Sequence, residues 1–262
     1  MADGSSGPSL EDKVIVVAGG GNGSGRACAL GYAAAGATVA IGDINRTAAE
    51  EVQSLIAERG GTASVFTYDN DDPSTARELI ESALARYGRI DGLHAVAGNP
   101  NLHTRDFDLL SSDAAIWEDS FRNHFIAPAE AAKAAIPAMI GNGGGSIIFT
   151  SSGQAISADT VRLGYQVSKR AVEILTMHIA RTYGRQGIRA NALRYGVILT
   201  DNAKRALPPE FLEDALKRSW MGRLGEPQDV VGTALFLMST SAGFINGQII
   251  EVAGGKMAGI QG

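Results

Sequence analysis

Residues 14–25 read VIVVAGGGNGSG, an apolar run that passes directly into a glycine-rich loop. Small and apolar residues continue from Arg26 to Gly36, so the predicted order is strand, tight turn and helix. Glycines in such a turn let backbone N–H groups at a helix N-terminus face a phosphate, because no Cβ blocks the approach. This pattern predicts a pyrophosphate site made by Gly19, Asn22, Gly23, Ser24 and Gly25. For the loop taken alone, a flexible turn without a ligand is the alternative.

The rest of the chain alternates short apolar runs with helical segments. One helix is marked by Asp72 and Pro73 at its start and by Gly88 at its end. Strands that alternate with helices of ten to twenty residues predict an α/β, Rossmann-type, doubly wound fold, with helices on both faces of a parallel sheet. The seven predicted strands are Val14–Val17, Thr38–Ile41, Ser64–Thr67, Gly92–Val96, Ser146–Phe149, Arg189–Leu193 and Gln248–Val252.

No linker or internal repeat divides the 262 residues. We predict a flexible tail over residues 1–12 and a single dinucleotide-binding domain over residues 13–262. The segment 201–225 is too long for an ordinary connection between strands and is predicted to form a lid over the substrate.

Composition excludes several classes of function. The net charge of −5, from 23 basic and 28 acidic residues, gives no basic field for nucleic acid. The single cysteine, Cys28, cannot form an internal disulfide, and we interpret it as a core residue. The N-terminal sequence lacks the features of a secretory signal, and no apolar run approaches the length of a membrane span. We expect a soluble cytoplasmic protein without membrane or nucleic-acid partners.

The second predicted strand ends at a carboxylate that favours one cofactor. Asp43 follows Gly19 by 24 residues, close to the spacing at which a carboxylate accepts hydrogen bonds from an adenosine ribose. It would repel a 2′-phosphate, so NAD is favoured over NADP; Arg46 is the residue that argues for NADP. Asn45 is the better candidate for the N-cap of the next helix.

Tyr165 and Lys169 lie one helical turn apart, so they share a face of the predicted helix. A neighbouring ammonium stabilises a phenolate and lowers the pKa of tyrosine toward neutrality, which makes it a usable acid or base. Ser152 follows the fifth predicted strand, whose carboxyl end faces the cofactor crevice, and is placed to hydrogen-bond a substrate oxygen.

Together these residues resemble the short-chain dehydrogenase/reductase family over about residues 13–255. The family's Thr-Gly-x-x-x-Gly-x-Gly loop is similar to Ala18–Gly25, and its catalytic serine, tyrosine, lysine and asparagine correspond to Ser152, Tyr165, Lys169 and Asn123. The resemblance implies that Tyr165 is the general acid/base, that Lys169 tunes it and binds the nicotinamide ribose, and that Asn123 holds a water in a proton relay. Pro128 removes a helical hydrogen bond to the His124 carbonyl, which predicts an open helix turn beside Asn123.

The resemblance also implies further contacts with the cofactor. The set predicted beyond the glycine loop is Asp43, Ile44, Asp69, Asn70, Ala97, Gly98, Tyr165, Lys169, Ile198 and Thr200. Two asparagines of the family's Asn-Asn-Ala-Gly motif are replaced by Ala95 and Val96, so we expect packing to brace the sheet there. Tyr195 replaces a proline and is predicted, with Ser152 and Gln154, to contact the substrate.

The four histidines, His94, His103, His124 and His178, have no metal-ligand spacing, so no metal site is predicted. The apolar face of the predicted lid suggests a small, mainly apolar substrate. The resulting hypothesis is an NAD-dependent oxidoreductase acting on a secondary alcohol or ketone, assembled as a homotetramer as the family implies. The alternatives are an NADP-dependent biosynthetic ketoreductase and a catalytically idle dinucleotide-sensing protein.

Overall fold

The computed structural model describes residues 7–157 and 159–255. Within these ranges seven parallel strands form one sheet. The strands are β1 Val14–Ala18, β2 Thr38–Asp43, β3 Thr62–Thr67, β4 Gly92–Ala95, β5 Gly145–Ser152, β6 Ile188–Tyr195 and β7 Ile249–Val252. Their order is β3-β2-β1-β4-β5-β6-β7, which confirms the predicted doubly wound sheet.

Helices cover both faces of this sheet. They are α1 Gly23–Ala34, α2 Arg46–Glu58, α3 Ser74–Tyr87, α4 Ala114–Phe121, α5 Ala127–Gly141, α6 Leu163–Tyr183, α7 Asp201–Ala206, α8 Pro209–Arg218 and α9 Pro227–Met238. On one face Leu79, Ile136 and Val172 bury the apolar sides of α3, α5 and α6. On the other face Tyr32 and Val230 belong to the cluster under α1 and α9. The sheet therefore lies between two apolar cores, as parallel sheets require.

The direction in which successive strands are added to the sheet reverses after β3, so the parallel strands β1 and β4 are neighbours although β2 and β3 separate them in sequence. At such a switch point the connections leave on opposite faces and open a crevice at the carboxyl ends of the strands. The glycine loop after β1 and the loop after β4 border this crevice, so it is where the predicted cofactor residues meet.

Strand β5 extends beyond its predicted end at Phe149. Thr150, Ser151 and Ser152 continue the ladder by pairing with Leu193, Arg194 and Tyr195 of β6. The apolar run alone did not predict this extension because the added residues are polar. The pairing with β6 fixes Ser152 at the end of a rigid strand.

Sequence signals for helix ends are largely confirmed. Gly88 ends α3 with a φ of 74°, and the Asn45 side chain accepts a hydrogen bond from the Ala48 N–H at 3.1 Å at the start of α2. Helix α3 begins one residue later than predicted, since Pro73 is its N-cap and the Asp72 carboxylate accepts the Ser74 N–H at 3.0 Å.

The packed domain begins before the predicted boundary at residue 13. Leu10 is buried, and its N–H donates to the Ala35 carbonyl at 2.8 Å. Leu10 therefore belongs to the core rather than to a tail, while residues 1–6 lie outside the described ranges. The predicted lid segment contains two short helices, α7 and α8. Among the described residues, no helix combines the length and the hydropathy needed to cross a membrane.

Candidate active site

The glycine loop packs so closely that side chains are excluded from it. Gly19 has a φ of 97°, and a Cβ there would lie 2.6 Å from the backbone of Ala97. A Cβ on Gly25 would overlap the Gly19 carbonyl oxygen. Helix α1 starts at Gly23, its preceding residue Asn22 makes no side-chain cap, and its first turn holds no acidic residue. The positive end of the α1 dipole is thus open to an anion.

A carboxylate stands beside this loop at the end of β2. Asp43 accepts the Gly21 N–H on Oδ2 at 2.8 Å and the Asn45 N–H on Oδ1 at 2.9 Å, so both oxygens are fixed in position. Arg46, the residue that argued for NADP, pairs with Glu50 at 2.8 Å on the exposed surface of α2. A carboxylate is therefore fixed against the glycine loop at this edge.

Ser152, Tyr165 and Lys169 come together where α6 packs against the end of β5. The Lys169 ammonium is buried, donates to the Thr150 carbonyl at 2.9 Å and lies 5.7 Å from the centroid of the Tyr165 ring. Ser152 accepts the Gln154 N–H on its Oγ at 3.2 Å. A phenol, a hydroxyl and an ammonium at one point can bind a substrate oxygen and move a proton to or from it.

Asp106 holds the start of α6 in place. Its buried carboxylate accepts the Gly164 N–H at 3.2 Å and the Tyr165 N–H at 2.9 Å. A Cβ on Gly164 would lie 3.0 Å from the Trp117 ring, so glycine permits this close approach. Sequence reasoning missed Asp106, since nothing in the local pattern indicates that a carboxylate 59 residues away reaches Tyr165.

The acid–base balance at Tyr165 differs from the sequence expectation. Burial raises the pKa of Tyr165, while the Ser152 hydroxyl and the positive charge of Arg162 lower it. Burial also lowers the pKa of Lys169 to about 8. Lys169 was expected to depress the tyrosine pKa; in the structure burial is the larger influence, and the opposing contributions come from Ser152 and Arg162.

The predicted opening in the helix at Asn123 is present. Residues Arg122–Ile126 form a turn of π-helix between α4 and α5, just before Pro128. The Asn123 side chain accepts the Asn99 N–H at 3.0 Å and donates to Asp71 Oδ1 at 2.7 Å. These contacts fix the side chain, and the water relay through it stays a prediction.

Ala95 and Val96 pack into the two apolar clusters, as expected, and Asn70 adds hydrogen bonds beside them. Its Nδ2 donates to the carbonyls of Ala97 and Asn123, each at 3.0 Å. The amide thereby ties the loop after β3 to the loop after β4 and to the π-helical turn. At the end of β4, where the resemblance implies asparagines in place of Ala95 and Val96, this chain thus combines apolar packing with hydrogen bonds from the loop after β3.

Two histidines, considered from the sequence only as metal ligands, contact the candidate catalytic tyrosine. His103 and His124 approach the Tyr165 ring edge-on, with centroid separations of 4.5 and 5.0 Å. Burial lowers the pKa of His103 to about 4 and that of His124 well below its ordinary value, so both rings are neutral at pH 7. No group of three or more His, Cys, Asp or Glu side chains in the described ranges is arranged to hold a metal ion.

The segment after β6 folds back onto the glycine loop. Thr200 caps α7 by accepting the Ala203 N–H at 3.0 Å. A Cβ on Gly23 would lie 2.8 Å from the methyl carbon of Thr200. Ile198 forms a parallel bridge with Gly225. Tyr195 lines the cleft and is half-buried against the apolar cluster beneath α1.

These elements surround one cleft of about 1850 Å³, more than a small ligand alone requires. The predicted residues that line it are Gly19, Asn22, Gly23, Ser24, Gly25, Asp43, Ile44, Asp69, Asn70, Ala97, Gly98, Asn123, Ser152, Gln154, Tyr165, Lys169, Tyr195, Ile198 and Thr200. An open helix N-terminus, glycines without room for a Cβ and a fixed carboxylate at the next strand together fit a dinucleotide.

This chain is similar to known proteins over nearly its full length. The family model described as enoyl-(acyl carrier protein) reductase matches residues 19–256. The 7alpha-hydroxysteroid dehydrogenase of Escherichia coli K12 is 32% identical over 248 residues, which make up 94% of each chain.

Two solved structures are similar over almost the full chain. A 7alpha-hydroxysteroid dehydrogenase complexed with NADH and 7-oxo glycochenodeoxycholic acid has a TM-score of 0.90 and 30% identity and covers 97% of both chains. A gluconate 5-dehydrogenase from Burkholderia cenocepacia J2315, in complex with NADP and tartrate, has a TM-score of 0.88 and 31% identity. It covers 96% of this chain and 98% of that one. The two relatives thus hold different forms of the nicotinamide dinucleotide.

Proposed function

This chain belongs to the short-chain dehydrogenase/reductase family, and we propose that it is an NAD-dependent oxidoreductase that interconverts a secondary alcohol and a ketone. The proposal rests on the convergence of Ser152, Tyr165 and Lys169 in a cleft that also contains the glycine loop and Asp43. When bound, the nicotinamide ring donates or accepts the hydride.

Tyr165 carries the proton in this proposal. Because burial keeps its pKa above the ordinary value, the phenol is protonated at neutral pH and ready to donate to a ketone oxygen. In the oxidative direction the tyrosine must first lose this proton, and the ammonium of Lys169 stabilises the resulting phenolate. Ser152 donates a hydrogen bond to the substrate oxygen, and Asn123 connects Lys169 to solvent through a water in the role that the family implies.

Asp43 is the residue that selects NAD. Both of its oxygens are held by backbone N–H groups, so the carboxylate cannot easily turn away from an adenosine ribose. Arg46 would be the cation for a 2′-phosphate, but it is paired with Glu50. A phosphate of about two charges within about 5 Å of a surface carboxylate is opposed by roughly 2–3 kcal/mol, or about 100-fold in affinity.

Part of the lid segment presents apolar side chains to the cleft. Leu207, Phe211 and Ala215 of the lid segment line the cleft, together with Val161 before α6. Such a surface suits the carbon skeleton of a small, mainly apolar substrate. Gln154 and Tyr195 complete the proposed substrate region.

We also propose that the protein is a homotetramer that uses α6 as one interface. Val167, Ile174 and Met177 are exposed by 50%, 53% and 40% at helical spacing along α6. An exposed apolar stripe of this kind is typical of a surface that pairs with another helix. Light scattering of the purified protein measures the assembly directly, and a monomer at micromolar concentration would contradict this part of the proposal.

Titration of the protein with NAD and with NADP tests the cofactor choice. We expect NAD to bind roughly 100-fold more tightly, and Asp43→Ser to reduce that ratio at least about tenfold. Asp72→Asn is the matched control, since Asp72 lies on the exposed start of α3 and should leave the ratio unchanged. Tighter binding of NADP by the unaltered protein would favour the ketoreductase alternative, and failure to turn over any alcohol or ketone would favour the idle one.

A further inference from the structure

A guanidinium lies in the cleft wall just before the catalytic helix. Arg162 is the N-cap residue of α6 and has a φ of 64°, which non-glycine residues rarely adopt. Its N–H donates to the carbonyls of Asp106 at 2.9 Å and Phe107 at 3.2 Å, so the unusual backbone is held from outside the helix. Backbone strain of this kind is often found at ligand sites.

The guanidinium is largely enclosed and has few partners. The side chain is 17% exposed, and its one ionic neighbour in the described ranges is Asp159, at 3.9 Å. The same Asp159 oxygen already accepts the Gln154 Nε2–H at 2.8 Å. Within those ranges the five guanidinium N–H donors find no protein acceptor at hydrogen-bond distance. Removing a cation from water in this way costs free energy unless an anion pairs with it.

An aromatic ring of the lid segment lies over the guanidinium. The Arg162 carbon Cζ lies 5.7 Å from the centroid of the Phe211 ring of α8. Stacking on an aromatic ring leaves the in-plane N–H groups free, and these match the two oxygens of a carboxylate. Arg162 and Phe211 line the same cleft as Tyr165 and Ser152.

The wall next to Arg162 also holds unpaired polar groups. His124 is 2% exposed, and neither of its ring nitrogens has a partner in the described ranges; the same holds for Nδ1 of His103. Burial raises the pKa of Tyr165 and lowers the pKa of His103. The positive charge of Arg162 lowers the pKa of both side chains, so its electrostatic influence extends to the catalytic end of the cleft. His103 and His124 line the cleft together with Arg162, so this part of the wall is polar as well as apolar.

We propose that Arg162 binds a carboxylate of the substrate, so that the substrate class is a hydroxy or oxo carboxylate with an apolar skeleton. This inference rests on the proposed oxidoreductase function of the same cleft. The skeleton packs on Val161, Leu207 and Phe211, the reacting carbon–oxygen group lies at Tyr165 and Ser152, and the carboxylate pairs with the guanidinium edge. Because Phe211 stacks on the same guanidinium, binding of the carboxylate also holds α8 over the cleft.

The test compares oxo acids with neutral compounds of the same skeleton. The 3-, 4- and 5-oxo derivatives of a phenyl-substituted alkanoate are each assayed with NADH beside their primary amides. We expect at least one acid to exceed its amide in kcat/KM, and Arg162→Met to lower that acid-to-amide ratio by roughly 10- to 100-fold, mainly through KM. Arg162→Lys should fall between the two, since it keeps the charge but loses the paired donors.

Arg205→Met is the matched control because Arg205 lines the cleft from the exposed face of α7, where it donates to Asn202. This variant should change the acid-to-amide ratio of kcat/KM by less than about twofold. The comparison separates specific pairing with Arg162 from the overall positive charge of the lid segment. Calorimetry of the NADH-loaded protein with the unreactive alkanoates and alkanamides measures the same preference without turnover. All variants should bind NADH with the same affinity as the unaltered protein.

The outcomes separate this inference from the function it rests on. Turnover of amides and acids alike, with a ratio that Arg162→Met does not change, would overturn the carboxylate site and leave the oxidoreductase intact. Absence of turnover for every compound, together with preferential binding of alkanoates that Arg162→Met abolishes, would retain the carboxylate site and overturn the oxidoreductase. Equal binding of alkanoates and alkanamides would overturn the carboxylate site whatever the turnover.

Discussion

Lys169 is expected to reduce the stability of the free protein while serving the active site. Its side chain is 6% exposed, and its ammonium has one protein hydrogen bond in the described ranges, to the Thr150 carbonyl at 2.9 Å. Burial lowers its pKa from 10.5 to about 8. Replacement by methionine keeps most of the volume and removes the charge, so Lys169→Met should stabilise the cofactor-free protein near pH 7 and abolish turnover.

The magnitude follows from the linkage between protonation and folding. Below pH 8 the lysine is charged in both states, and the lowered pKa of the folded state corresponds to about 3 kcal/mol of lost stability. Loss of the hydrogen bond to Thr150 offsets about 1–2 kcal/mol of the gain. We therefore expect Lys169→Met to be more stable by about 1–2 kcal/mol at pH 7.

The pH dependence has a definite sign. Between pH 8 and 10.5 the unfolded chain binds more protons at this residue than the folded protein, so the unaltered protein gains stability from Lys169 as pH rises. The advantage of Lys169→Met should shrink over this window and turn into a deficit of about 1 kcal/mol near its upper end.

Urea unfolding of the cofactor-free protein and of Lys169→Met, followed by circular dichroism at several pH values from 7 to about 10, measures this difference. Lys204→Met is the control because Lys204 is exposed and belongs to the lid. If Lys169→Met is less stable than the unaltered protein at pH 7, or if the stability difference between the two does not vary with pH, the buried charge of Lys169 does not destabilise the folded protein.

Two further predictions concern the supporting structure. Glu173 is fully buried and accepts hydrogen bonds from Arg194 at 2.8 and 3.0 Å, from Arg170 at 2.8 Å and from Ser151 at 2.8 Å; Glu173→Gln should lower the free energy of unfolding by about 2–4 kcal/mol at pH 7. Glu251→Gln, which removes an exposed partner of Arg194, should cost less than about 1 kcal/mol, and equal losses would contradict the network. Gly25→Ala should weaken NAD binding by at least roughly 100-fold because its Cβ overlaps the Gly19 carbonyl, whereas Gly141→Ala, with no atom within 4 Å, should bind NAD normally. Calorimetric titration checks both variants, and normal binding by Gly25→Ala would show that the loop can shift.

Elements controlled by local sequence were predictable. Val14–Val17 is apolar and β-branched, Gly88 permits the left-handed end of α3, and Asn45 caps α2, so each signal lies within a few residues of the feature it determines. The parallel sheet follows from the alternation of strands and helices, but its strand order does not, because the same alternation also builds other doubly wound sheets.

Features that depend on distant parts of the chain were not predictable. Asp106 reaches Tyr165 across 59 residues, and Asn70 reaches Asn123 across 53. The approach of His103 and His124 to Tyr165 depends on how the loop after β4 and the π-helical turn pack together. These contacts are set by tertiary packing, which leaves no periodic or spacing signal in the sequence.

Turnover by Tyr165→Phe, measured beside the affinity of the variant for NAD, tests whether Tyr165 transfers the proton in the proposed reaction. The variant removes one hydroxyl from a ring held by His103 and His124, so the fold and the NAD affinity should be retained. We expect oxidation of a secondary alcohol to fall by roughly 1,000-fold or more, while the Kd for NAD changes by less than about threefold. Oxidation within about tenfold of the unaltered protein would contradict the assignment of Tyr165 as the acid and base of the reaction.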